Sequence, residues 1–333
     1  RLSPPRPFAV RIRRDLAMSL RYLLQRLGTL VLVLFGVSIV AFSIQPLIPG
    51  SPARVRLGVQ ATDENVRILE EQMGLNRPLP VQYADWVGGI VLRGDFGDSL
   101  ITRTSITDEI ARRLPATLAL AGVALLIGLA IALPLGIASA LRPGGKRDLA
   151  ASVVSQVGVS VPDFWMGILL ILLFAETLGW LPSSGYEPIT EGVVPWLRHV
   201  LLPAATAGLI SGSIMTRFVR SALLEVLGMD YVRTARAKGV GPRVVLTKHV
   251  LRNAAISIVT IIGLQMATLL SSVVVVEIIF AWPGLGSLAL TSTLQRDYPV
   301  LQASVLMAAV AFTVINLLTD LSYVLLDPSV EYA

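Results

Sequence analysis

Charged residues are missing from five long stretches of the chain, at positions 27–53, 114–141, 199–216, 253–276 and 298–319. About 20 apolar helical residues cross the hydrocarbon core of a bilayer. Blocks of this length predict membrane-spanning helices rather than the core of a soluble domain. A sixth block, at 150–178, is interrupted by Pro162, Asp163 and Glu176. The predicted spans are 26–45, 114–141, 150–178, 200–224, 254–280 and 300–326. The expected fold class is an all-α polytopic membrane protein with six transmembrane helices.

The polar segments between the blocks are unequal in charge. The head before the first span carries Arg1, Arg6, Arg11, Arg13, Arg14, Arg21 and Arg26. The connection after the second carries Arg142, Lys146 and Arg147, and the one after the fourth is more basic still. The third-to-fourth and fifth-to-sixth connections hold one arginine each, Arg198 and Arg296. Basic loops stay on the cytoplasmic side, so the head (1–25), the tail (327–333) and both termini are expected in the cytoplasm. The segment 46–113 is then expected outside, as a small folded lobe. Thr62 is placed to cap a short helix ending near Met73, with Gly74 as its stop. Trp86 and its apolar neighbours are expected at the membrane surface. The first apolar block follows an arginine-rich head without a clear Ala-x-Ala site and reads as a retained anchor.

Composition narrows the chemistry. The 333 residues are 54% hydrophobic and 15% charged, with a net charge of +6, two histidines and no cysteine; mean hydropathy is +0.71. Topology explains the basic excess, so no nucleic-acid partner is expected. The absence of cysteine excludes disulfides, iron–sulfur clusters and thiolate catalysis. His199 and His249 fall at opposite faces by the predicted topology, which argues against an intramembrane enzyme. The acidic run Gly94-Asp95-Phe96-Gly97-Asp98 reads as a turn rather than a calcium loop, and no metal site is expected.

Polar residues inside spans are costly and tend to face a wet cavity or a neighbouring helix. At 100° per residue, Ser257, Gln265, Thr268 and Ser272 share a face of the fifth span. Thr313, Asn316 and Asp320 share one on the sixth, and Ser152, Gln156 and Asp163 one on the third. Both readings stay open at this point, a translocation pathway or interhelical adhesion. Glu277 lies off these stripes, near the outer end of the fifth span. It contacts substrate, gates the outer mouth, or pairs with Arg198 or Arg296; a structural or gating role is favoured. The acids Asp163, Glu277 and Asp320 also keep a proton-driven carrier as a weaker alternative.

One connection does not behave as a plain loop. The stretch DYVRTARAKGVGPRVVLTKHVLRN (230–253) places Gly239, Gly241 and Pro242 between two helical runs. Gly239 supplies a C-terminal stop and a second helix begins near Arg243. Val244, Val245, Val250 and Leu251 are expected to turn toward the lipid boundary or the bundle. Tyr231, Ala235 and Ala237 leave small apolar surface between Arg233, Arg236 and Lys238. The result is an elbow able to seat in a groove of another protein.

RTARAKG followed by KHVLRNA resembles the cytoplasmic motif of permease subunits of ATP-binding-cassette importers, in particular the dipeptide/oligopeptide (DppB/OppB-type) group. GLNRPLPVQYADWVGGIVLRGDFGDSL, SVPDFWMGILL, VVVVEIIFAWPGLG and LLDPSV fall in the matching order. The resemblance runs from about 19 to 330. Thr234, Ala235 and Arg236 stand where the general motif has Glu-Ala-Ala, Arg252 replaces its proline, and Ser329, Val330 and Glu331 stand where a more basic ending is common.

The resemblance implies the type I importer permease fold in a bacterial or archaeal cytoplasmic membrane. It implies half of a translocation pathway for di- or oligopeptides, with a nickel chelate or glutathione as alternative cargo. Implied partners are a second homologous permease, two ATPase subunits or domains, and an external binding protein. The chain has no G-x-x-x-x-G-K-[ST] loop, so ATP and magnesium are expected on the ATPase partners and no catalytic residue or cofactor in this chain. Tyr231, Thr234, Ala235, Arg236, Ala237, Lys238 and Gly239 are the implied coupling residues.

Overall fold

The computed structural model describes the backbone of residues 8–47 and 50–326 and the side chains of 24–47 and 50–322. The tail 327–333 and the first seven residues of the head lie outside the described residues. All regular structure among the described residues is helical. α1 (Phe8–Leu47) leads into a lobe of three short helices, α2 (Pro52–Leu57), α3 (Asp63–Gln72) and α4 (Leu79–Arg93). The bundle follows as α5 (Ile106–Leu141), α6 (Lys146–Ser160), α7 (Asp163–Leu170) with a π-helical extension (Ile171–Thr177), and α8 (Val193–Leu227). α9 (Asp230–Ala237) and α10 (Pro242–Val244) form the elbow. A π-helical stretch (Val245–Leu251) carries α10 into α11 (Arg252–Ile279), followed by α12 (Leu285–Gln295) and α13 (Tyr298–Leu326).

Among the described residues, five helices are long and apolar enough to cross a membrane: Leu24–Leu47, Ile106–Leu141, Val193–Leu227, Pro242–Ile279 and Tyr298–Ser322. The predicted third span is not one helix. α6 and α7 meet at 104°, and they make a sixth span only as a bent pair. Pro162 is the cause, because its ring pushes the residue before it out of the helical region. Val161 accordingly sits at φ −90°, ψ 125°. The stripe Ser152, Gln156, Asp163 is therefore corrected, since Gln156 and Asp163 belong to different helices.

Helices in lipid gain nothing by hiding apolar side chains from one another, so close packing must hold them. On α5, Ala124, Gly128, Ala132, Gly136 and Ala140 recur every fourth residue and are buried. On α8, Ala204, Gly208, Gly212 and Thr216 do the same. The two backbones touch along these rows: a Cβ on Gly208 would lie 2.7 Å from the Ala124 carbonyl oxygen, and one on Gly212 2.9 Å from that of Gly128. Around this seam the core has two apolar layers. One holds Leu120, Val200, Leu269, Val273, Phe280 and Trp282 at the lobe end. The other holds Val219, Leu223, Val232, Val245, Val250 and Ile258 at the elbow end.

The lobe follows its local signals. Thr62 Oγ1 accepts from the Asn65 N–H at the start of α3, and Gly74 stops the helix at φ +69°. Trp86 packs on α1, its ring centroid 5.9 Å from that of Phe42. Tyr83, one turn away, shares a 2.7 Å hydrogen bond with Ser38.

Candidate functional site

The elbow is built by a helix that ends cleanly. Gly239 takes φ +78°, a left-handed conformation that glycine adopts without steric cost. The Gly239 N–H donates to the Arg236 carbonyl and the Val240 N–H to that of Ala235, closing α9 with a Schellman turn. Gly241 then takes an extended conformation ahead of Pro242, the first residue of α10, where a missing N–H costs nothing.

One side of the elbow is sunk in the bundle and the other is free. Val232, Val245 and Val250 are fully or nearly fully buried, as expected for the last two, while Leu251 packs against the same layer. Val244 instead remains about half exposed, at 47%. Tyr231, Thr234, Arg236, Ala237, Lys238 and Gly239 are exposed. Ala235 is not, with 9% of its surface accessible. Its expected place on the free face is corrected: Ala235 lies one turn from Val232, and the pair shares the side facing the bundle. Arg233 also points outward and reaches Asp230 at 3.5 Å. Tyr231 Oη donates to the His249 carbonyl across the turn.

Behind the elbow, Asp148 at the start of α6 ties three elements together. It accepts from Arg220 Nε at 2.7 Å and Nη2 at 2.9 Å, from the Ser139 hydroxyl at 2.5 Å, and from the Gly144 N–H at 2.8 Å. Nothing in the local sequence around Arg220 or Asp148 signals this brace, because the two lie 72 residues apart.

The polar stripes meet several fates. Gln265 is buried and donates to Ser211 of α8 at 3.1 Å, so it joins helices rather than lining an open path. Thr268 is exposed, its hydroxyl donating to the Leu264 carbonyl; Ser272 is half-buried and donates to that of Leu269. The open face of α11 thus runs through Ser257, Thr260, Leu264, Thr268 and Ser271, keeping Ser257 and Thr268 of the predicted stripe but not Gln265 or Ser272. Gln156 is exposed on α6, and Asp163 and Asn316 are half-buried. Asp320 pairs with Arg26 at 3.2 Å and ties α13 to α1.

Glu277 pairs with neither Arg198 nor Arg296. Its carboxylate is fully buried, accepting from Thr117 Oγ1 of α5 at 2.7 Å and from the Ser287 N–H at 2.8 Å. It therefore caps the positive N-terminal end of α12 from the end of the preceding span. Thr117 also accepts from the Leu285 N–H at 2.8 Å, and Trp282 Nε1 donates to the Ala116 carbonyl at 3.0 Å. At the other end of α12, buried Asp297 accepts from Ser99 Oγ at 2.5 Å and from the Leu100 N–H at 3.2 Å. In the acidic turn, Asp95 Oδ1 accepts from the Gly97 N–H.

Comparison with known proteins fits this geometry. Residues 132–332 match the family described as binding-protein-dependent transport system inner membrane component, and residues 19–121 match the N-terminal part of such components. A probable peptide ABC transporter permease of Sinorhizobium fredii is 39% identical, covering 93% of this chain and 99% of that protein. An oligopeptide transport system permease of Bacillus subtilis is 40% identical over 93% and 99%. A glutathione transport system permease of Salmonella typhimurium is 40% identical over 94% and 99%. Among solved structures, an inward-facing MetNI methionine ABC transporter aligns with TM-score 0.56 and 19% identity, over 66% of this chain and 96% of the matched one. The chain is an integral membrane protein of the ABC importer permease fold, and it belongs to the family of binding-protein-dependent transport system inner membrane components.

Proposed function

We propose that this chain is one of two permease subunits of an ATP-driven importer for di- and oligopeptides, with the elbow end in the cytoplasm and the lobe outside. The observation that carries this reading is the two-sided elbow. Val232, Ala235, Val245 and Val250 fasten it to the bundle, while Tyr231, Thr234, Arg236, Ala237, Lys238 and Gly239 are held out in the open. A docking helix needs both properties, since a push on its free side must move the spans beneath it. ATP and magnesium belong to separate ATPase subunits docked there. A second permease closes the pathway, whose half in this chain includes the open face of α11 at Ser257, Thr268 and Ser271. An external binding protein delivers cargo at the lobe end. ATP-driven closure of the ATPase pair then shifts the bundle between inward-open and outward-open states, which requires different contacts in each state.

Relatives named for peptide transport support peptides as the cargo. Relatives named for glutathione transport, themselves about 40% identical, support a second reading in which the cargo is that modified tripeptide. The experiment is co-purification followed by uptake into proteoliposomes. The complex is expected to contain a second permease and ATPase subunits, and to take up labelled di- and oligopeptides. Gly239→Arg is expected to leave the chain inserted while abolishing ATPase docking or uptake. Wild-type uptake by that variant would refute the coupling role, and uptake of glutathione alone would move the cargo to the second reading.

A further inference from the structure

The two carboxylates at the ends of α12 belong to one arrangement. α12 has 11 residues, about 16 Å at 1.5 Å per residue, and lies between α11 and α13. A non-glycine residue in the left-handed region stands at each end, Ala281 at φ +49° and Arg296 at φ +59°. Backbone hydrogen bonds close both turns: the Trp282 N–H donates to the Glu277 carbonyl, and the Arg296 and Asp297 N–H groups donate to the carbonyls of Thr293 and Ser292. At the N-terminal end Glu277 and Thr117 lock α12 to α11 and α5. At the C-terminal end Asp297 locks the α12–α13 turn to Ser99 and Leu100, on the segment joining the lobe to α5. The body of the helix is held by packing: Leu285 and Leu288 join Ile106, Ile110, Val300 and Ala303 in a compact apolar cluster.

From this we infer that α12 is a lever that carries movement of the lobe to the seam between α5 and α11. Asp297 and Glu277 are its positioning residues. A helix fastened by a buried acid at both ends, with a bend in the backbone beside each, moves as a rod. Displacement of the Ser99–Leu100 segment pulls Asp297, and α12 transmits the pull to Glu277 and Thr117. These hold the lobe-side ends of α11 and α5, within the apolar layer that includes Leu120, Val273 and Phe280. The inference rests on the proposed importer function, in which a binding protein meets the lobe end. It names the route by which that meeting reaches the spans.

The test uses the complete complex in lipid nanodiscs, with its binding protein and a labelled peptide. Ser99→Ala removes the hydroxyl held by Asp297, and Thr117→Val removes the one shared by Glu277 and Leu285 while keeping side-chain shape. In each variant, stimulation of ATP hydrolysis by loaded binding protein is expected to fall about fivefold or more, with the basal rate within about twofold of wild type. The double variant is expected to lose no more than the worse single variant, because both act on one rod. Spin labels at Val91→Cys and Leu294→Cys in this naturally cysteine-free chain report the movement directly. Their distance is expected to stay fixed on adding binding protein in the otherwise native chain, where Asp297 carries α12 with the lobe, and to change in the Ser99→Ala background, where the lobe moves without it. Retained stimulation, multiplying losses in the double variant, or a parallel fall of basal rate and complex yield would each overturn the lever. Absence of stimulation in the wild-type complex would overturn the importer reading and the lever with it.

Discussion

Arg220 grips Asp148 with two arms of its guanidinium, Nε to Oδ1 at 2.7 Å and Nη2 to Oδ2 at 2.9 Å. The fork bridges α8 and the start of α6, and Ser139 and Gly144 fill the remaining positions around the carboxylate. Bidentate arginine pairing depends on planar geometry that lysine does not provide. Arg220→Lys is therefore expected to lower the thermal unfolding temperature of the purified chain despite keeping the charge. Arg77 pairs with Asp85 on the open surface of the lobe at 3.0 Å, and Arg77→Lys is expected to change it little. Equal effects of the two substitutions would show that Arg220 contributes charge alone.

The α5–α8 seam admits no side chain where its glycines cross. A Cβ on Gly208 would meet the Ala124 carbonyl and the Ile127 side chain within 3.0 Å. Neither can yield without parting the helices, because one is backbone and the other is anchored in the layer beside it. Gly208→Val is expected to cost about 1–3 kcal/mol as overpacking. Gly122→Ala on the same helix as Ala124 meets nothing within 4 Å. It is expected to be neutral or to stabilise by about 0.5–1 kcal/mol, since alanine is the better helix former. Denaturation of both variants in one detergent measures the difference.

The spans were legible because an uncharged block about a bilayer long has few other uses. The elbow was legible because glycine and proline act on the backbone next to them. Ala235 was misplaced because Ala235 and Ala237 have the same hydropathy; the spacing of three from Val232 was the available signal for the buried side. Gln265 sits on a polar stripe as its period requires, but what it meets is Ser211, 54 residues away, and periodicity along one helix says nothing about the next. Asp297 and Ser99 lie 198 residues apart. Each looks like an ordinary loop residue until the fold joins them. The bend at Pro162 was visible as an interruption, whereas its 104° angle depends on how α7 packs against α8 and α11.

Gly239 separates backbone strain from docking. A side chain there meets no atom of this chain within 4 Å, so substitution strains only the left-handed backbone, at about 1–2 kcal/mol for most residues. Asparagine tolerates that region better than β-branched residues. Gly239→Asn is thus expected to keep fold and uptake near wild type. Gly239→Val is expected to loosen the end of α9 and reduce uptake, while insertion and the core of the bundle stay intact. Limited proteolysis at the elbow beside an uptake assay reads both effects, and identical uptake in the two variants would mean that the turn conformation does not matter to coupling.

Glu277 and Gly284 form a single fitting. A Cβ on Gly284 would fall 1.8 Å from Glu277 Oε1, so the carboxylate occupies the space that any side chain at 284 would need. Glu277→Ala strands the Thr117 hydroxyl and the Ser287 N–H in a buried site, and unsatisfied donors of this kind cost about 1–3 kcal/mol. Glu277→Gln keeps an acceptor oxygen and is expected to cost less. Gly284→Ala is expected to reproduce much of the Glu277→Ala loss by displacing the acid rather than deleting it. The two losses should not add in the double variant, because an alanine at 277 empties the space that an alanine at 284 requires. Unfolding free energies of the three variants and the double close the cycle. Additive losses would mean that Gly284 is needed for its backbone rather than for the room it leaves the carboxylate.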